Sequence, residues 1–214
     1  QKYPHLKSFH IPNGIDLGIF NPGKLKNDPI TSSFIDWPRP RILCVSALTE
    51  YKRMLSAVKA FKYLKDGSML ILGDGPERDT ITEYIKNSLS LDQQSKIQIL
   101  SNIDFKRIPA FYDWADIFVH PAKESEAFGS VIIEAMAMGK PLVLNDDLVR
   151  KEIAGEIGFY VDPENANALA AQIQHAFDHL QDKHFSQKII NYARRYDWEK
   201  IGEEYKEILQ NELL

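Results

Sequence analysis

Cysteine is nearly absent from this sequence of 214 residues, and so is any excess of positive charge. The single cysteine, Cys44, excludes a framework of internal disulfides and is typical of proteins from a reducing compartment. The formal net charge of −4 argues against a protein that binds nucleic acid by neutralising its phosphates. No apolar run approaches the roughly 18–20 residues of a membrane span, and the first residues, QKYPHLKSFH, lack a signal-peptide core. We therefore expect a cytoplasmic protein that binds no nucleic acid.

The rest of the composition is that of a globular domain. Hydrophobic residues make up 44% of the chain and charged residues 26%, and the length suffices for one sizeable core. After residues 23–40, which we predict to be loop and linker, short apolar runs alternate with helical patterns. This alternation is typical of an α/β, Rossmann-like fold, in which a doubly wound parallel sheet has helices on both faces.

The predicted secondary structure follows from these runs. Strands are expected at 41–46, 68–73, 96–100, 116–120, 140–144 and 158–161. Helices are expected at 53–64, 77–88, 105–114, 129–138 and 147–154. A further helix is predicted after 161, with Asp162 as its N-cap and Pro163 as its first residue.

The stretch from 124 to 141 reads ESEAFGSVIIEAMAMGKP. Between Gly129 and Gly139 nearly every side chain is apolar, which predicts a helix that is buried on most sides. Glu134 interrupts this stretch, and burying a polar group costs roughly 2–7 kcal/mol unless something hydrogen-bonds it. Lys140 lies beyond the three- or four-residue reach of a helical ion pair, so it is not the partner of Glu134 through the helix.

Two interpretations of this carboxylate are open. In the first, Glu134 and Glu126 accept hydrogen bonds from the hydroxyls of a ligand, and backbone N–H groups at the helix start hold its phosphates. Such an arrangement fits a nucleotide sugar. In the second, Glu134 meets a buried arginine or a backbone donor, and Glu126 is a solvated loop acid. Residue chemistry alone does not separate the two.

The spacing of Glu126 and Glu134 within EAFGSVIIEAMAMGKPLV resembles the signature of the retaining, family 4 (group 1) glycosyltransferases. It is similar to the C-terminal, donor-binding half of their GT-B fold. The resemblance implies that Glu126 contacts the donor sugar and that Glu134 holds the nucleotide ribose. It also implies that the backbone of Phe128 and Gly129 meets the sugar and phosphate, and Ser130 beside them is assigned to the same donor site.

The loop after the first predicted strand reads VSALTEYKRM, and a basic residue here can reach a diphosphate. The resembled family usually has Gly-Arg where this chain has Ser46 and Ala47, followed by a lysine that matches Lys52. The resemblance implies that Lys52 binds the diphosphate and is, with Glu126, a catalytic residue. Arg53 is a second candidate for the diphosphate.

Two further loops match the family pattern. LGDGPER resembles its Gly-x-Gly-Pro-Glu turn, so Gly73 and Gly75 would let the backbone approach the nucleotide, although tight turning alone would also explain both glycines. After the third strand, Ile103 is the candidate for contact with the base, and Asn102 stands where the family more often has glycine.

The resemblance also gives a domain organisation. Residues 1–22, containing IPNGID, are similar to an interdomain hinge, 23–195 to the nucleotide-sugar-binding domain, and 196–214 to a terminal amphipathic helix that crosses to an N-terminal domain. We therefore expect a C-terminal half whose partner domain is missing. That absence permits a dimer through the terminal helix, and it leaves open a membrane association through the missing domain.

The expected function is donor binding in an enzyme that transfers a hexosyl group from a nucleotide-diphosphate sugar to a glycan, lipid or other acceptor, in polysaccharide or glycoconjugate biosynthesis. Positive groups at the diphosphate would stabilise the leaving charge, so no cofactor and no metal are expected. By itself the chain is expected to be inactive. The alternatives are a GT-B epimerase-type enzyme, which would release a sugar isomer without an acceptor, and a non-catalytic module that only binds the nucleotide sugar.

Overall fold

The computed structural model describes residues 8–24, 28–123 and 128–213. Six parallel strands form one sheet in the order β3-β2-β1-β4-β5-β6. The strands are β1 Arg41–Val45, β2 Ser68–Leu72, β3 Ile97–Leu100, β4 Ile117–His120, β5 Leu142–Asn145 and β6 Gly158–Val161. The predicted doubly wound, Rossmann-like sheet is therefore confirmed, with every strand end within two residues of its expected place.

Both faces of the sheet are buried. Successive side chains of each strand point to opposite sides, so each strand contributes to the core on both faces. In β1, Leu43 joins one hydrophobic cluster, while its neighbours Ile42 and Cys44 join the other. The strand register places residues of one cluster side by side in neighbouring strands. Leu43 lies opposite Leu70 in β2 and Phe118 in β4, and all three belong to the same cluster. The apolar runs of the sequence are thus strands with two covered faces.

Ten α-helices surround the sheet in the described residues. They are α1 Pro29–Ser32, α2 Met54–Phe61, α3 Arg78–Ser88, α4 Leu91–Gln94, α5 Ile108–Trp114, α6 Ser130–Ala137, α7 Leu148–Ala154, α8 Ala166–Asp178, α9 Lys183–Ala193 and α10 Trp198–Leu213. Short 3-10 turns lie at Glu50–Lys52, Phe105–Arg107, Gly155–Ile157, His179–Gln181 and Arg194–Tyr196. Helices α2, α3 and α8 cover one face, and α5, α6, α7 and α9 cover the other.

The predicted start of the helix after β6 is wrong. The side chain of Asp162 accepts a hydrogen bond from the N–H of Glu164 and so closes a turn. Helix α8 begins only at Ala166, because the side chain of Asn165 caps it by accepting from the N–H of Ala168.

The prediction of loop and linker for 23–40 is wrong for α1. Asp28 caps this short helix by accepting from the N–H of Ile30 at 2.8 Å. The guanidinium of Arg107 also donates two hydrogen bonds to Asp28, at 3.0 and 2.7 Å. The bond from Arg107 lowers the pKa of the Asp28 carboxyl below its usual value, so the capping group stays ionised.

The beginning and the end of the described chain meet beside α6. The N–H of Ile15 donates to the carbonyl of Tyr196 at 2.7 Å, and the N–H of Trp198 donates to the carbonyl of Ile15 at 3.1 Å. Phe20, a few residues on, is buried in the same hydrophobic cluster as α6. The segment that contains IPNGID is therefore packed onto the sheet domain.

Helix α10 presents a mixed surface. Ile201 is buried, whereas Trp198, Tyr205 and Leu209 are each about half exposed. Among the described helices, α10 included, none combines the length and the apolar character needed to cross a membrane.

Candidate functional site

The switch point of the sheet lies between β1 and β4, because the chain moves outward from β1 to β2 and later returns to the other side of β1 with β4. Ligands of such sheets bind at the carboxyl ends of the strands at this point. Here the loop after β4 is tied to the loop after β1. The N–H of Lys123 donates to the carbonyl of Tyr51 at 2.7 Å, and its ammonium donates to Glu50 at 2.9 Å.

Glu134 is the polar exception on α6. Its neighbours on the helix, among them Ile133 and Ala135, are fully buried in the core, while Glu134 itself is partly exposed. The hydroxyl of Tyr112 donates to its Oε2 at 3.0 Å. Burial raises the pKa of the Glu134 carboxyl above its usual value, and the bond from Tyr112 lowers it by a smaller amount.

Neither partner expected under the second interpretation of Glu134 occurs in residues 8–24, 28–123 and 128–213. Within the described part of the chain, Tyr112 is the donor to this carboxylate, and no arginine or backbone N–H takes that place. Lys140 is turned to the opposite edge of the sheet, where its ammonium donates to the carbonyl of Ala115 at 2.9 Å. A partly buried carboxylate with one neutral donor retains capacity to accept further hydrogen bonds.

A pocket of about 290 Å³ lies directly beside this carboxylate. Ser130, exposed at the first position of α6, opens onto the same pocket one helical turn before Glu134. The pocket is lined by Gly14, Ile15, Asp16, Ile19, Phe20, Phe105, Ser130, Ile133, Glu134 and Trp198. Two of the predicted site residues, Ser130 and Glu134, are thus brought together.

A second pocket of about 210 Å³ lies between the ends of β2 and β3. Gly73 and Ile103, both predicted site residues, share its lining with Ser101 and Asn102. Asn102 adopts a left-handed backbone with φ of 56°. This conformation favours glycine and, after it, asparagine, which explains why Asn102 can occupy a position where the resembled family more often has glycine.

The two glycines of the loop after β2 have a structural cause. A Cβ on Gly73 would lie 1.9 Å from the carbonyl oxygen of Ser46, and one on Gly75, with φ of 152°, would lie 2.5 Å from that of Leu48. The same two loops are hydrogen-bonded, since the N–H of Leu48 donates to the carbonyl of Asp74 at 2.8 Å. Close approach of the two loops accounts for both glycines, while Gly73 also lines the pocket.

The predicted diphosphate residues differ in their surroundings. Lys52 ends the 3-10 turn after β1, with its ammonium 5.4 Å from the ring centre of Tyr51. Arg53 is the left-handed residue between that turn and α2, and its Nε lies 3.0 Å from a carboxylate oxygen of Glu164, in the turn after β6. The charge of Arg53 is therefore paired with that of Glu164. Ala47, where the resembled family usually has arginine, is exposed and contributes no charge.

Lys123 is a further cation at this place, and the motifs of the sequence do not identify it. The feature of the sequence that could have indicated Lys123 is its position in the loop after the fourth strand, at the carboxyl edge of the sheet, where ligands bind. Its bond to Glu50 lowers the pKa of that carboxyl.

The remaining predicted residues surround the start of α6. Gly129, with φ of 71°, is buried beside the fully buried His120, whose Nε2 would lie 3.6 Å from an added Cβ. The side chain of Phe128 is turned away from Glu134 and packs edge-on against Tyr196 at 6.0 Å, in a separate pocket of about 320 Å³. Glu126 belongs to residues 124–127, which lie outside the described residues.

Metal ligands were also sought among the described residues. Residues 8–24, 28–123 and 128–213 contain no group of three or more histidine, cysteine, aspartate or glutamate side chains that could hold a metal ion.

The sheet and its covering helices define a Rossmann-like α/β protein, with candidate pockets at the edge of the sheet where such folds bind ligands. More particularly, the chain belongs to the family of group 1 glycosyl transferases, whose family model matches residues 30–196.

Individual relatives agree with this membership. The chain is 27% identical over 159 residues to the O-antigen chain mannosyltransferase RfbU of Salmonella typhimurium, a match that covers 74% of the chain and 44% of that protein. It is 27% identical over 205 residues to the phosphatidyl-myo-inositol mannosyltransferase of Mycolicibacterium smegmatis, covering 90% of the chain and 49% of that protein. The chain thus spans less than half the length of either relative.

Solved structures of glycosyltransferases with the GT-B fold are its structural neighbours. A glycosyltransferase from Rickettsia africae has a TM-score of 0.78 and 29% identity, over 94% of this chain and 56% of that one. HepE from Anabaena, solved in complex with UDP-glucose, shares the fold with a TM-score of 0.76 and 21% identity, over 94% of this chain and 57% of HepE.

Proposed function

We propose that this chain is the C-terminal, donor-binding half of a retaining GT-B glycosyltransferase of family 4. The complete enzyme transfers a hexosyl group from a nucleotide-diphosphate sugar to a glycan, lipid or other acceptor. The observation that carries the proposal is Glu134, a partly buried carboxylate with one side-chain donor among the described residues, which lines a pocket at the ligand edge of a group 1 glycosyl transferase domain.

Ribose hydroxyls are suitable partners for Glu134. They are neutral donors, and a hydrogen bond to a charged acceptor is worth roughly 1.5–3 kcal/mol. Ser130 lies one turn earlier, about 6 Å along the helix axis, where the free N–H groups of a helix start attract phosphate. The nucleotide would then lie along the start of α6, with its ribose at Glu134 and its diphosphate at Ser130.

The pocket of Gly73 and Ile103 is the proposed seat of the base. It lies at the ends of β2 and β3, on the β1 side of the switch point, and its largely aliphatic lining, opened at Gly73, suits a flat ring. HepE, a protein of the same fold, binds a nucleotide sugar. Glu126 is proposed to contact the sugar, with the backbone of Phe128 and Gly129 beside it.

The proposed chemistry is electrostatic. As the bond between sugar and diphosphate breaks, negative charge grows on the diphosphate, and fixed positive groups that meet it lower the barrier. Lys52 and the N–H groups at the start of α6 supply this charge in the proposal, and Glu126 orients the sugar. No cofactor is invoked, so we expect donor binding to be the same with and without a metal chelator.

Lys52→Ala should weaken binding of a nucleoside diphosphate about tenfold and leave binding of the free nucleoside unchanged. The reason is that an ammonium bound to phosphate makes a charge-assisted hydrogen bond, and partial exposure of Lys52 keeps the loss near the lower end of the usual range. Titration calorimetry with both ligands measures the difference.

Lys59→Ala is the matched control, because Lys59 is an exposed lysine of the neighbouring helix α2. It should leave both affinities unchanged. Equal loss of nucleoside and nucleoside diphosphate affinity in the Lys52 variant would contradict the assignment.

A thermal-shift panel of nucleotide sugars tests the proposed donor class. A ligand at a hundredfold excess over its dissociation constant stabilises the folded state by about 2.7 kcal/mol. Stabilisation by one or more nucleotide sugars is expected, and none by any of them would contradict the proposal. Release of a sugar isomer without an acceptor would favour an epimerase-type enzyme, and binding without transfer by the full-length protein would favour a non-catalytic module.

The exposed face of α10 fits the same proposal. Trp198, Tyr205 and Leu209 are about half exposed along one helix, and we propose that the preceding domain of the complete enzyme contacts them, with residues 1–22 as the hinge. Without that domain the same face permits a dimer of this chain. Sedimentation of Tyr205→Lys against the parent would separate a dimer through α10 from one formed elsewhere.

A further inference from the structure

We propose that Tyr112 is a positioning residue that holds the carboxylate of Glu134 in the orientation that receives the ribose hydroxyls; this rests on the proposed function of Glu134. Tyr112 belongs to α5 and lies outside every motif that the sequence identifies. Its hydroxyl lies 3.0 Å from Oε2 of Glu134 and 3.2 Å from the carbonyl oxygen of Val131. The contact joins two helices that both cover the same face of the sheet.

The phenol has one proton for these two acceptors. A carboxylate is the stronger acceptor because the bond is assisted by its charge, and the carbonyl of Val131 is also available to the N–H one turn later in its own helix. The proton therefore belongs on the bond to Oε2 of Glu134. No donor among the described residues contacts the second carboxylate oxygen, which is left for a ligand.

The tyrosine is held rigidly. Its side chain is fully buried, and its ring packs against Phe118 at 5.7 Å and against Phe20 at 6.0 Å between ring centres. A glutamate side chain in a pocket loses rotamer freedom when it binds a ligand. A fixed donor on Oε2 restricts that freedom in advance, so less is lost on binding.

The charges around the pair agree with this role. Burial raises the pKa of the Tyr112 phenol well above its usual value, so the hydroxyl remains a donor at neutral pH. Its bond opposes the effect of burial on Glu134, whose pKa would otherwise be higher still. A charged carboxylate is the better acceptor for ribose hydroxyls.

In residues 8–24, 28–123 and 128–213, few other ionisable groups face this carboxylate. Among the described residues, Asp16 lies in the same pocket, and its carboxylate accepts from the N–H groups of Gly18 and Ile19. Helices α7 and α9 pack against the buried, apolar side of α6. Asp16 is unchanged in the variants below, so its contribution is common to all of them.

The experiment compares Tyr112→Phe with the parent by calorimetry across a series of pH values, with whichever of UDP and GDP the parent binds and with its 2′,3′-dideoxy analogue. We expect Tyr112→Phe to weaken the ribonucleotide about threefold to tenfold at neutral pH. We also expect the acid-side loss of affinity to move to higher pH, because Glu134 without its donor protonates more readily. The dideoxy analogue should bind both proteins equally.

Tyr196→Phe is the matched control, since it removes another buried hydroxyl, one that donates to the carbonyl of Ile153 at 2.9 Å. It should change neither affinity nor pH dependence. A parent-like midpoint in Tyr112→Phe, or an equal loss for the dideoxy analogue, would show that Tyr112 acts only in packing and would overturn the inference.

Glu134→Gln separates this inference from the proposed function. If Glu134→Gln weakens binding of the ribonucleotide and Tyr112→Phe does not, the assignment of Glu134 to the ribose is supported and the positioning role of Tyr112 is refuted. If neither variant changes nucleotide binding, the assignment of Glu134 to the ribose falls, and the role of Tyr112 falls with it.

Discussion

Replacing Glu134 with alanine should lower the affinity for a nucleoside diphosphate by about tenfold to a hundredfold, the equivalent of roughly 1.5–3 kcal/mol for a hydrogen bond to a charged group. The effect is expected because, in the part of the chain that the structure describes, this carboxylate has one donor, Tyr112, and it lines the pocket of Ser130. Discrimination between sugars should change little. Calorimetry with one nucleoside diphosphate and two of its sugar derivatives measures both quantities.

Glu126→Ala is the complementary variant, and it should alter sugar discrimination more than nucleotide affinity. Glu83→Ala is the control, since Glu83 is an exposed acid on α3, away from both pockets. Parent-like binding of all ligands by the variants of Glu126 and Glu134 would refute the site assignment. A loss of the folded state, monitored by circular dichroism, has to be excluded first because Glu134 lies on a buried helix.

The 214-residue chain should bind a nucleotide sugar weakly and transfer none of it. The chain spans less than half of two mannosyltransferase relatives, and we propose that the remainder of the complete enzyme holds the acceptor. Holding two reactants in a near-attack geometry contributes roughly 7–11 kcal/mol, or at least about five orders of magnitude in rate. The donor would also be in contact with water on one side, which weakens its binding.

A radiolabel transfer assay on this chain, run beside calorimetry with the same donor, tests the prediction. The positive control is a complete group 1 glycosyltransferase assayed with its own acceptor under the same conditions. Transfer by the 214-residue chain at a rate near that of the control would show that these residues contain the acceptor site. The proposed division between two halves would then be abandoned.

The sheet could be predicted from the sequence because its signal is local. Apolar runs such as 41–45 and 68–72 are long enough for a strand and too short for a buried helix, and the helical patterns between them require parallel pairing. The start of α8 could not be predicted in the same way. Asp162 and Asn165 are both good helix caps, and only the turn that Asp162 closes decides between them.

The candidate site shows the same limit. The anomaly of Glu134 was visible in the sequence, because a charge in an apolar helix is a local feature. Its partner Tyr112 was not, since the contact crosses from α5 to α6 and no spacing rule connects them. The reason why position 73 requires glycine could not be predicted either, because the atom that a Cβ would meet is the carbonyl oxygen of Ser46, on another loop.

The pairing of Ile15 with residues 196 and 198 has a consequence for the order in which the molecule is completed during synthesis. All six strands have left the ribosome once Val161 has emerged, whereas Trp198 follows on the order of a few seconds later at ordinary elongation rates. Until then, Ile15 has neither of its backbone partners. The pocket beside Glu134 is lined by both Ile15 and Trp198. This pocket is therefore completed only after the sheet, so a nascent chain can hold a finished sheet before the wall of the pocket formed by Trp198 is in place.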